Sequence, residues 1–112
     1  MITIDPEKAL DYMRDNAPML AKAKAERIYL EQFRKTQKAL LFSDAPVDCK
    51  TVQAKEAYAY SHPDYMEVLD GLREAVAVEE EIRWRMVAAQ LKVEVWRSTE
   101  ASNRRVDKAH SN

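Results

Sequence analysis

Three groups of residues could do chemistry by type and spacing. Arg83-Trp84-Arg85, followed by Arg97, Arg104 and Arg105, sets guanidinium groups beside an indole. Such a set contacts phosphates and stacks on bases. Lys24, Arg27, Arg34, Lys35 and Lys38 form a second basic set. Between them stand the acids Glu67, Asp70, Glu74, Glu79, Glu80 and Glu81. The charges are segregated: residues 19–42 hold six bases and two acids, residues 64–81 one base and seven acids, and residues 83–108 seven bases and three acids. One reading is a basic surface for phosphates next to an acidic zone that repels them. The other is a solvated face laced by pairs, because Glu79–Arg83, Glu81–Arg85, Glu31–Lys35 and Glu100–Arg104 all have the favourable i,i+4 order.

The remaining chemistry-bearing residues point to no reaction. Glu79-Glu80-Glu81 lacks the Glu-x-x-His partner of a metal centre, and the only histidines are His62 and His110. A carboxylate run without imidazole reads as solvated surface, so no metal and no cofactor are expected. His62 reads as a helix-start residue and His110 as part of a tail. Neither has an evident serine or cysteine partner, and Cys49 reads as a free thiol in a loop. No glycine-rich phosphate loop is present. Tyr58, Tyr60 and Tyr65 read as packing at a helix corner, with a binding patch as the alternative. The expectation is a protein that is not an enzyme.

These residues need elements to hold them. A single glycine, Gly71, and four prolines in 112 residues point to an all-α protein. Asp5-Pro6-Glu7 is a helix start. That first helix, carrying Ala9, Leu10, Tyr12 and Met13, is expected to end before Pro18. Asp15 or Asn16 then caps a second helix to Leu41 or Phe42, whose inward stripe is Ala21, Ala25, Ile28, Tyr29, Phe33 and Leu40. Leu30, Leu41 and Phe42 fall off that stripe. Residues 43–48 read as a loop, and Thr51 as the cap of a short alanine-rich helix through Tyr60.

From Ser61 to about Lys108 the spacing predicts one long helix, with Ser61 as N-cap, Asp64 returning the bond, and Pro63 in the first turn. Some 40 residues of helix span roughly 60 Å, against about 26–30 Å for a compact domain of this size. The helix must therefore project, pair with another long helix, or be shared between subunits. Its seam reads Tyr65, Val68, Leu72, Ala75, Val78, Ile82, Met86, Ala89, Val93 and Trp96, with a mean spacing near 3.5. A second stripe, Trp84, Val87, Ala88, Leu91 and Val95, makes the later half apolar on two sides. Ile82, Trp84, Met86, Val87, Leu91, Val93, Val95 and Trp96 are the expected interface with another copy. The competing reading is a compact monomeric bundle that covers both faces. Gly71 would permit a close helix crossing.

The fold expected is one all-α domain over residues 1–112: a long C-terminal helix packed with a helical hairpin, a coiled-coil-like bundle, oligomeric, with an arm at 1–4 and a frayed tail from about 98 to 112. The charged fraction is 33%, the apolar fraction 46% and the net charge −1. This composition gives no global pull toward nucleic acid or membrane. One cysteine, no secretory signal and no apolar run near 18 residues make a cytoplasmic protein the expectation.

Three stretches carry a resemblance. They are Ala23-Lys24-Ala25-Glu26-Arg27 through Leu40-Leu41, then residues 57–65 (AYAYSHPDY), then Trp96-Arg97-Ser98 with Glu100-Ala101-Ser102-Asn103-Arg104. Together, over about residues 5–105, they resemble a family of small all-helical proteins from tailed bacteriophages and prophages, encoded among early genes for recombination and replication. The resemblance implies a bacterial host cytoplasm and a role near DNA metabolism, and supplies no site residue. The function expected is a non-enzymatic accessory protein of phage DNA recombination or replication. It would bind single- or double-stranded DNA, or a recombination or replication protein, and itself. The alternatives are an inhibitor of a host nuclease or defence complex, whose acids from Glu67 to Glu81 occupy the target's DNA surface, and a purely structural helical oligomer.

Overall fold

The computed structural model describes residues 3–110 as three helices and no strand: α1 (Pro6–Ser43), α2 (Val52–Ser61) and α3 (Pro63–His110). Of the expected arm, Met1 and Ile2 lie outside the described residues, as do Ser111 and Asn112 of the expected tail.

α1 starts where the chain predicts. The Asp5 carboxylate accepts from the amides of Glu7 (3.0 Å) and Lys8 (3.2 Å), with Pro6 in the first helical position. It does not end before Pro18. The helix runs through the proline for 38 residues. Pro18 removes one backbone donor and crowds the preceding turn, a cost of about 3 kcal/mol. Pro18 is exposed, and half-buried Tyr12, Met13 and Leu20 flank it, so packing on either side offsets the lost bond. Neither proposed cap forms. Asp15 pairs with Arg14, and the Asn16 side-chain amide donates to the Tyr12 carbonyl at 2.9 Å.

The junction into α3 also differs from expectation. Ser61 closes α2, its hydroxyl donating to the Ala57 carbonyl at 2.6 Å. His62 is the cap: its Nδ1 accepts from the Asp64 amide at 3.0 Å, and its carbonyl accepts from Tyr65 and Met66. A ring nitrogen does the job that the serine hydroxyl was expected to do. Thr51 caps α2 as expected, its hydroxyl accepting from the Ala54 amide at 3.0 Å.

Contacts divide the chain into two units, Ala21–Glu79 and Met1–Leu20 with Glu80–Asn112. In the first, α1 and α3 run antiparallel. Tyr29, Phe33 and Gln37 share a shallow cleft with Asp64, Glu67 and Val68, while Ala23 and Glu26 share another with Glu74, Ala75 and Val78. α2 closes one end, with Leu41, Ala59 and Tyr65 buried together and Phe42 and Leu69 against them. The tyrosines pack at this corner: Tyr60 meets Tyr65 edge-on at 5.3 Å, and Tyr58 meets His62 at 5.4 Å.

The inward face of α1 is not the apolar stripe read from the sequence. Of that stripe Phe33 is half-buried, while Ala21, Ala25, Ile28, Tyr29 and Leu40 are exposed; Ala23 and Leu41 are buried and Arg27, Leu30 and Arg34 half-buried. On α3 the same inversion occurs at one position. Val78 is 50% exposed and Glu79 only 8%. In the second unit, Ala9 and Ala89 are buried, Tyr12, Met13, Ile82, Met86 and Val93 half-buried, and Leu10 exposed.

Candidate nucleic-acid interface

The two basic sets differ in how much of their charge is used inside the chain. Arg27, expected as a phosphate contact, is consumed. Its Nε and Nη2 donate to both carboxylate oxygens of Glu79, and its Nη1 donates to Glu31 at 3.0 Å. Hydrogen bonding to Glu79, then to Glu31, raises the Arg27 pKa further above the ordinary arginine value, so it stays charged at every accessible pH. A bidentate guanidinium–carboxylate pair of this kind fixes geometry as well as charge. Glu79 and Glu31 are thereby unavailable to Arg83 and Lys35 in the pairs expected from spacing.

Lys38 lies over the Tyr60 ring at 4.5 Å, and hydrogen bonding to the Tyr60 side chain raises its pKa. It is half-buried at the corner. Arg34 is half-buried too, which leaves Lys24 and Lys35 as the exposed members of the α1 set.

On α3, Arg83 pairs with Glu80 at 2.6 Å and lies 4.9 Å over the Trp84 ring, while the Trp84 indole N–H donates to Glu80 at 3.0 Å. Arg85 pairs with Glu81 at 2.8 Å. This is one of the i,i+4 pairs read from the sequence. The Arg-Trp-Arg triplet is therefore laced to the acids one turn before it, and the expected base-stacking indole has its polar edge satisfied within the helix.

The C-terminal set is different. In its own unit, α1 and the residues before it meet α3 along a groove from Thr3–Tyr12 to Arg85–Lys92. From Glu94 through His110, α3 is exposed except for the half-buried Glu100 and Ala101. The helix nonetheless continues, through the 98–103 segment expected to fray. Arg97 lies 3.6 Å from Glu94, a loose exposed pair of little energetic weight. Among the described residues, no carboxylate pairs with Arg104 or Arg105, and Glu100 does not reach Arg104. Arg97, Ala101, Arg104 and Lys108 follow Val93 at steps of four, four, three and four, so they continue the face that α3 turns toward α1 earlier. By residue type Arg97, Arg104 and Arg105 look equivalent to Arg83 and Arg85. That Arg97 has only the loose Glu94 pair, and that Arg104 and Arg105 have no carboxylate partner among the described residues, was not legible from spacing, which offered Glu100 to Arg104.

The expected interface residues divide into two faces. Ile82, Met86 and Val93 share the inward face of Ala89. Trp84, Leu91 and Val95 lie outward and exposed, with Val87 half-buried beside them and Trp96 at the margin. Of the acids, Glu79, Glu80 and Glu81 are engaged with Arg27, Arg83 and Arg85, while Glu67, Asp70 and Glu74 remain exposed. Among the described residues no three His, Cys, Asp or Glu side chains gather as a metal site, and Cys49 is a half-buried free thiol. No described helix is long and apolar enough to cross a membrane. Comparison of the chain with protein-family models, curated proteins and solved structures finds no match.

Proposed function

We propose that this protein is a non-enzymatic accessory factor of DNA recombination or replication that contacts DNA with the basic end of α3. The observation that carries the reading is the exposed helical segment from Arg97 to His110, whose Arg104 and Arg105 have no carboxylate partner among the described residues. A helix with arginines seven apart on one face, Arg97 and Arg104, presents guanidinium groups about 10 Å apart along its axis, a reach suited to phosphates on a nucleic-acid backbone. With a net charge of −1 the chain as a whole gives no pull toward nucleic acid, so the reading rests on the local charge of this segment. Fluorescence anisotropy with labelled single- and double-stranded oligonucleotides at low salt tests it. The expected result is binding that weakens steeply with added salt and falls about tenfold or more in Arg97→Glu/Arg104→Glu. Binding that ignores salt, or none at all, removes the reading.

A further inference from the structure

Opposite its inward seam, α3 carries an apolar stripe that the described residues leave largely exposed. Trp84 and Leu91 are each 59% exposed and Val95 51%, with exposed Ala88 between them. These four residues recur at steps of four, three and four, the spacing of a helix–helix seam. They lie about 200° from Ile82 around the helix. The Trp84 ring is held in place by Arg83 above it and by its indole N–H on Glu80. Its polar edge is satisfied, and what it offers outward is apolar surface. Tryptophan in that state is the kind of anchor that interfaces are built on.

We infer that this stripe pairs with the same stripe of a second copy, antiparallel, about a two-fold axis between Ala88 and Leu91. Size and charge both select that orientation. In the antiparallel register Trp84 stands against the partner's Val95, and Ala88 against the partner's Leu91, so each large side chain meets a smaller one. Glu81 then stands against the partner's Ser98. A parallel register would set Trp84 against the partner's Trp84 and Glu81 against the partner's Glu81. Over the length of the helix, residues 64–81 carry net −6 and residues 83–108 net +4. In this register residues 71–81, net −3, of one copy fall against residues 98–108, net +1, of the other, whereas parallel copies would set 71–81 against itself. One flank sets Arg85 near the partner's Lys92, and there Arg85 is already held by Glu81 at 2.8 Å. Arg97 and Arg104 project from the other side of the helix, so pairing leaves them accessible. The dimer and the DNA contact are thus separate claims with separate failures.

Sedimentation equilibrium of the intact chain should give a dimer mass, and Leu91→Glu a monomer with unchanged helical circular dichroism. For orientation, Trp84→Cys and Val95→Cys are made separately in a Cys49→Ser background and oxidised with diamide, alone and mixed. The antiparallel register predicts a disulfide-linked species in the mixture, since a cysteine at 84 would lie close to one at 95 of the partner but about 16 Å from its own counterpart. Cross-linking of either variant with itself alone overturns the register. A monomer at every accessible concentration overturns the pairing, as does an assembly that Leu91→Glu leaves intact.

Discussion

Arg27 and Glu79 show how one pair of residues can decide which face of a helix points inward. Hydrophobicity alone selects Val78 for the α3 seam and the stripe Ala21–Leu40 for α1. The structure buries Glu79 and turns Val78 outward, because Glu79 is what Arg27 needs across the seam. A signal was present in the spacing. The positions 65, 68, 72, 75, 79, 82, 86, 89, 93 and 96 alternate three and four without exception, and substituting 78 for 79 breaks that alternation. Weighing residue type above strict period hid the acid. Removing Glu79 should cost more than the pair contributes, since it leaves the half-buried Arg27 with Glu31 as its remaining carboxylate and two guanidinium donors without theirs. Glu79→Leu is therefore expected to lower the thermal midpoint by roughly 5–10 °C. Arg27→Met/Glu79→Leu should recover most of that loss or exceed the parent, because an apolar pair of similar volume carries no desolvation cost. Thermal denaturation followed by circular dichroism decides it. A single variant as stable as the parent would show that the seam does not depend on this pair.

At the scale of elements, helix identity was legible and helix boundaries less so. The scarcity of glycine, the Asp5 cap, the Thr51 cap and the loop after Ser43 all read correctly from residue types. Pro18 and Ser61 did not. A proline signals a helix stop only where no tertiary contact outweighs its lost bond, and α1 has packing on either side of it. Ser61 is a strong cap by type, yet its hydroxyl is used by the end of α2, and His62 takes over with a ring nitrogen. Gly71 marks a further limit. Its expected role was to allow close crossing, but a Cβ built there meets only Leu30 Cδ1 at 3.9 Å, an ordinary contact, and its φ is not positive. The glycine costs helix propensity without a steric need. Gly71→Ala should therefore raise unfolding stability by about 1 kcal/mol. Urea denaturation with an unchanged slope is the check. A loss of stability would mean that the α1–α3 seam is tighter at Leu30 than the geometry indicates.

Along the chain, the largest described buried cluster and the exposed basic end of α3 belong to different stretches. Within Ala21–Glu79, three helices supply the cluster of Leu41, Ala59 and Tyr65, whereas α3 beyond Glu94 adds almost no buried surface. The charge blocks were readable in the sequence, but not which of them were already used. Six basic residues in 19–42 looked equivalent to those in 83–108. The fold engages Arg27, Arg83 and Arg85 with acids, and among the described residues gives Arg104 and Arg105 no carboxylate partner. A segment with few contacts contributes little to cooperative unfolding, and a helical end exposed on nearly all sides persists chiefly as an extension of the turns before it. Ending the chain after Trp96 should therefore leave the denaturation midpoint of the remainder within a few degrees of the full-length protein. Mean helicity per residue should rise slightly if the removed segment frays in solution, and stay level if it does not. Oligonucleotide binding should disappear with the segment, while the dimer set by Trp84, Ala88, Leu91 and Val95 persists. A large fall in midpoint would show that residues 97–112 are structural. Retained salt-sensitive binding by the shortened chain would move the DNA contact to Lys24 and Lys35 on α1.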